Sequence, residues 1–212
     1  MKLTMNCLMI VILVVCTAEL ALAQIPASAS GKETGIATLF ARDPLTQSVC
    51  LKDGGAGGVF HNGQTKNRCS DLNFNSYLAN AFRVGVEGGR EGVIVDLGTP
   101  EELKGKYGYQ ETVGNGQGFA SIAIGNGKAL ILNNYKEGTL QPLAESVRLF
   151  EKPTSSLASA PVKIGHIYLM RVTDRNDESY EMFAKILVLA YTPGESVTVR
   201  WHLLSDSKIA KL

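Results

Sequence analysis

Residues 164–204 read IGHIYLMRVTDRNDESYEMFAKILVLAYTPGESVTVRWHLL. Three runs dense in β-branched and aromatic residues, 164–172, 180–191 and 196–204, are each bounded by turn formers, the pattern of consecutive strands. Asp174-Arg175-Asn176-Asp177 joins the first two. Thr192-Pro193-Gly194-Glu195 joins the second pair, with Pro and Gly at the central positions a type II turn prefers. In the last run Val197, Val199, Trp201 and Leu203 alternate with Thr198, Arg200 and His202, the period of a strand with one buried face. The middle run is apolar on both sides from Ile186 to Leu189, which predicts cover on both of its faces.

The rest of the chain extends the same pattern. Residues 35–42 read as a first strand, and 82–86 with 91–97 read as two strands joined by a hairpin through Glu87-Gly88-Gly89-Arg90. Residues 119–124 and 129–132 flank Gly125-Asn126-Gly127-Lys128, where Asn-Gly is a strong local hairpin signal. One helix start stands out. Thr99 can cap, Pro100 suits the first helical turn, and Glu102 lies three residues after Thr99 as a capping box requires. Gly105 and Gly108 keep that helix short. Residues 142–150 fit helix and strand spacing equally. Together these predict an all-β, or β-rich α+β, fold: an antiparallel sandwich or barrel of about nine to ten short strands with one or two short helices.

Residues 1–23 have the layout of a secretory signal peptide. Lys2 supplies the positive start, 8–15 is an unbroken apolar run, and Ala21-Leu22-Ala23 is a small-x-small cleavage site before Gln24. The apolar run is too short to span a bilayer, and no later stretch reaches about 18 uncharged apolar residues, so no transmembrane segment is expected after cleavage. Val15 before Cys16 fits a lipid-anchor signal poorly. A secreted or periplasmic location is the expectation. Residues 24–34 are small and polar and read as a flexible leader, and 35–212 as a single β-rich domain with 151–161 a candidate internal boundary.

Export changes the cysteine count. Cys7 and Cys16 leave with the signal, so Cys50 and Cys69 remain to form one disulfide across a glycine-rich loop. The formal net charge of +1, with no block of like charge, argues against nucleic acid as a partner.

No catalytic motif survives inspection. His61, His166 and His202 stand too far apart in sequence for a metal-binding helix, and there is no Cys-x-x-Cys pair. Convergence of His166 and His202 on one sheet remains an option for a metal or haem site. Asp174, Asn176 and Asp177 could offer oxygens to calcium, although such residues also close turns. Gly114-Asn115-Gly116-Gln117-Gly118 lacks the strand and helix that flank a phosphate-cradling loop. Tyr168, Arg171, Arg200 and His202, with Lys185, fall on the last three strands, where aromatic and basic groups on one face can bind a sugar, a carboxylate or a partner strand.

The leading expectation is an exported, non-catalytic β-rich binding or structural protein with an unknown extracytoplasmic ligand or protein partner and no cofactor. The alternatives are an extracellular hydrolase assembled from distant loop residues such as Asp53, His61 and Asp71, and a metal- or haem-binding protein.

Overall fold

The computed structural model describes residues 33–44, 46–52, 60–61, 64–65, 70–74, 79–85, 89–109, 119–134 and 139–204. The strands form antiparallel sheets, and no closed barrel forms among the described residues. A five-stranded sheet lies at the centre. It is built from β1 (Thr34–Phe40), β7 (Arg90–Gly98), β12 (Ile167–Asp174), β13 (Asp177–Thr192) and β14 (Ser196–Leu204), in the order β1-β14-β13-β12-β7. The last three strands form the expected meander. At the β13–β14 turn the Glu195 N–H donates to the Thr192 carbonyl at 3.0 Å, and Gly194 takes a φ of 74°, which completes a type II turn around Pro193.

Alternation along these strands sends side chains to two cores. On the first face Tyr168, Met170, Ala184, Ile186, Val197, Val199 and Trp201 pack against a four-stranded sheet. That sheet contains β2 (Ser48–Val49), β5 (Leu72–Phe74), β6 (Ala81–Val84) and β11 (Ser159–Pro161), in the order β11-β6-β5-β2. On the second face Val93, Val95, Ile167, Leu169 and Phe183 meet residues of α1 (Pro100–Tyr107), of the 3-10 helix Ala144–Phe150 and of a three-stranded sheet. That sheet holds β8 (Ile122–Gly125), β9 (Lys128–Asn134) and β10 (Thr139–Pro142). Two short strands, β3 (Phe60–His61) and β4 (Gln64–Thr65), pair with each other. The central strands are therefore covered on both faces, as the apolar run in β13 requires.

The helix forms where its cap predicts. Glu102 N–H donates to Thr99 Oγ1 at 3.2 Å and Thr99 N–H donates to Glu102 Oε2 at 2.7 Å, while Gly108 closes the helix at φ 64°. Only Leu103 and Tyr107, four residues apart, are buried, so α1 contacts the core along one narrow stripe. The Asn126-Gly127 loop has positive φ at both residues, 52° and 66°, as a type I′ hairpin demands.

The antiparallel, strand-rich fold with two short helices is the one expected; fourteen strands are described, several only two or three residues long and too short to carry a periodic signal. The segment 142–150 becomes mostly a 3-10 helix, and 151–161, expected as a connector, ends in β11. The pair expected as a hairpin, β6 and β7, separates into two sheets: β6 bonds to β5 and β11, and β7 to β12. A tight turn brings strands close but does not oblige them to pair when each finds a longer partner elsewhere.

Candidate functional site

Among the described residues, β1 is an edge strand of the central sheet. It bonds to β14 along its whole length, from Thr34↔His202 to Phe40↔Ser196. Antiparallel pairing alternates, so only every second residue of β1 directs its N–H and C=O toward β14. The flanking bonds identify which. Leu203 N–H donates to the Glu33 carbonyl at 2.7 Å and Ala41 N–H to the Glu195 carbonyl at 2.8 Å, so odd-numbered residues face β14. Phe40 N–H turns the other way, to the Thr46 carbonyl at 3.2 Å. Thr34, Ile36 and Thr38 therefore present main-chain donors and acceptors outward, and no described strand takes them.

The side chains of these residues lie on the second face, where Thr38 and Thr198 share a 2.9 Å hydroxyl hydrogen bond. Ile36 is 67% exposed and Phe40 48%. Leu189 is also exposed, at a bulge where the pairing of β13 with β14 slips. Beyond the end of β1, Phe40, Arg42, Asp43, Gly194 and Glu195 line a cavity of about 540 Å³. The opposite edge of the central sheet is not open in the same way. The Ile94 N–H of β7 donates to the Leu157 carbonyl at 2.9 Å.

Next to β1 on the same face is a basic group. Lys185, 1% exposed, donates from Nζ to the carbonyls of Phe119 at 2.8 Å and Ala120 at 2.6 Å. Ala120, one of the two residues so bonded, holds a φ of 38°, a left-handed conformation that disfavours a residue with a Cβ. The Phe119 ring also has Lys185 Nζ 4.8 Å and Arg200 Cζ 5.7 Å from its centroid. His202 pairs directly across from Lys185. Burial, then the positive charge of Lys185 and, more weakly, that of Arg200, hold the His202 imidazole below its ordinary pKa, against an opposing pull from Glu33.

The five residues expected on one binding face are thus divided. Lys185, Arg200 and His202 gather on the second face. Tyr168 points to the first face and is fully buried against Phe82, with ring centroids 5.3 Å apart. Its hydroxyl donates to the Pro161 carbonyl at 2.8 Å, and burial pushes its pKa up. Arg171 stands two strands from β14, with Nε donating to Glu181 Oε1 at 2.6 Å. Strand alternation alone already separates Tyr168 from Arg171, which lie three residues apart on one strand and so face opposite ways.

His166 and His202 also lie on opposite faces and do not converge. His166 instead meets Asp96 of β7, with Nδ1 2.8 Å from Oδ1, and Lys163 Nζ reaches Oδ2 of the same carboxylate at 2.9 Å. Burial resists ionisation of Asp96, but the bonds from His166, the Gly98 N–H and Lys163 outweigh it and keep the carboxyl below its ordinary range. The acidic turn is engaged from within. Arg90 Nε reaches Asp174 Oδ2 at 3.0 Å, Asn176 N–H donates to Asp174 Oδ1 at 2.8 Å, and Ser179 Oγ donates to Asp177 Oδ1 at 2.6 Å. The same Arg90 stacks 3.5 Å over the Tyr180 ring. Among the described residues, no group of three His, Cys, Asp or Glu side chains is placed to hold a metal ion.

No protein-family model, curated protein or solved structure matches this chain. Geometry alone carries the functional reading.

Cys50 is buried and is not a free thiol. Cys69, Asp53 and the glycine-rich segments 54–58 and 114–118 lie outside the described residues. Asp71 is fully buried and accepts the Leu51 N–H at 2.8 Å, a structural tether rather than a cleft residue. Among the described residues no helix is long and apolar enough to cross a membrane.

Proposed function

We propose that this chain is an exported, non-catalytic β-rich binding or structural protein that takes an extended partner segment on the outer edge of β1. One observation carries the reading: Thr34, Ile36 and Thr38 direct main-chain donors and acceptors away from β14, in a strand with no charge, no proline and no bulge. Natural sheets blunt such edges with those devices, and strand addition uses edges that lack them. Arg200, beside Ile36 on the same face, gives the dock a positive flank. The signal-like sequence of residues 1–23 supports export, and a Cys50–Cys69 disulfide belongs to the same proposal. Protein recovered from the extracytoplasmic compartment should begin at Gln24 and show no free thiol by intact mass after alkylation. The dock itself is tested by titrating dilute, isotope-labelled protein with a capped, uncharged peptide of alternating Thr and Val. Amide shifts centred on Thr34, Ile36 and Thr38 are expected. Shifts elsewhere, or none, would sink the reading.

A second reading has one observation in its favour. His166 Nδ1 lies 2.8 Å from Asp96 Oδ1; in the tautomer that donates Nδ1–H to this carboxylate, Nε2 is an acceptor, the arrangement of a general base, which supports a hydrolase that activates water there. If so, His166→Ala abolishes hydrolysis of an extracellular glycan or peptide substrate while the fold persists.

A further inference from the structure

We infer that the occupant of the β1 edge is a second copy of this chain, paired antiparallel across a two-fold axis at Ile36. The inference rests on the docking reading above and specifies its partner. The outward residues are Thr34, Ile36 and Thr38, evenly spaced about Ile36. A two-fold axis there sets Ile36 against Ile36 and Thr34 against Thr38 of the other copy. Each residue exchanges N–H and C=O with its opposite, giving about six main-chain hydrogen bonds that satisfy all three outward residues on both copies. A shift by one pair leaves some of these groups unbonded, and a shift by one residue turns them away from each other.

The side chains accept this register. The Ile36 pair, exposed in one copy, covers itself on the second face, and Thr34 opposes Thr38, a β-branched pair. No charge lies within Thr34–Phe40, so the axis brings no like charges together. Arg200, one strand in from Ile36, lies three strand spacings from its counterpart, about 14 Å. That exceeds the screening length of about 8 Å at physiological salt. The two central sheets would then run on as one, which removes the open edge without any other protein.

Cysteine cross-linking of the secreted chain tests the register. Directly opposed residues in a hydrogen-bonded antiparallel pair have Cα atoms about 5.5 Å apart, within disulfide reach. Ile36→Cys should yield a covalent dimer on mild oxidation. Thr34→Cys and Thr38→Cys should each form no covalent dimer alone and should cross-link when mixed. Sedimentation of the unmodified chain should show a monomer–dimer equilibrium, and Ile36→Lys, at an exposed position that the fold tolerates, should weaken it at least about tenfold by opposing two ammonium groups. Trp201 fluorescence confirms that each variant is folded. A monomer at every concentration with no Ile36→Cys cross-link overturns the self-pairing. Cross-linking of Thr34→Cys with itself overturns the register. In either case, peptide-induced shifts at the same amides leave the docking reading standing, whereas their absence removes both.

Discussion

Gly35 lies flat against the indole of Trp201, its partner across the β1–β14 pairing: a Cβ built at residue 35 would sit 2.6 Å from Trp201 Cζ2. Trp201 is 1% exposed and is the only tryptophan in the chain. Gly35 is therefore required by close approach, not by an unusual backbone angle. It fixes how tightly the edge strand seats on the core.

Gly35→Ala forces that contact apart. Overpacking of a filled core costs about 1–3 kcal/mol. The expected outcome is a lower urea midpoint with a shifted Trp201 emission maximum. An unchanged midpoint would mean that β1 is free to lift away from the indole.

Asp96 ties β7 to the segment before β12 through His166 and Lys163. Its carboxyl lies below the ordinary value in the fold, so the unfolded chain takes up this proton at the higher pH. The stability it contributes is present above about pH 4 and is lost as the pH falls through the lower, folded value. Asp96→Asn should cost about 1–2 kcal/mol at neutral pH, and the difference from the parent should shrink in acid. Denaturation curves at pH 7 and pH 3 check both the size and the direction.

His202 titrates in the opposite chemical sense with the same consequence for stability. Burial and two neighbouring cations keep its folded pKa low, so the unfolded state binds the proton first as the pH drops. Stability is complete above about pH 6.5 and declines below it toward the folded value. The His202 ring resonances should titrate with a midpoint below that of a free imidazole. His202→Gln should flatten the decline between pH 7 and pH 5.

Lys185 anchors the start of the segment leading into β8. Removing its ammonium leaves the Phe119 and Ala120 carbonyls without their charged donor inside the protein. Lys185→Met should destabilise by about 2 kcal/mol, because losing one partner of a buried polar group outweighs the relief of desolvating an ammonium. A stability gain by urea unfolding would show that desolvation dominates.

The features that the sequence by itself determined are those set within a few residues. The meander of β12, β13 and β14 follows from Pro193-Gly194 and the alternation of 197–203, and α1 from Thr99, Pro100 and Glu102. Local backbone preferences and short-range hydrogen bonds act before any distant segment arrives, so they are readable from the chain alone. The tertiary structure decided what depends on partners far apart. It sent β6 and β7 to different sheets, turned Tyr168 away from Arg200 and His202, joined Asp96 to His166 across 70 residues, and left β1 at the edge after pairing it with a strand more than 150 residues away. Edge and centre, and one face or the other, are properties of the whole packing. A strand's own residues specify that it alternates, but only its neighbours decide which side meets the core and whether its last row of hydrogen bonds is filled.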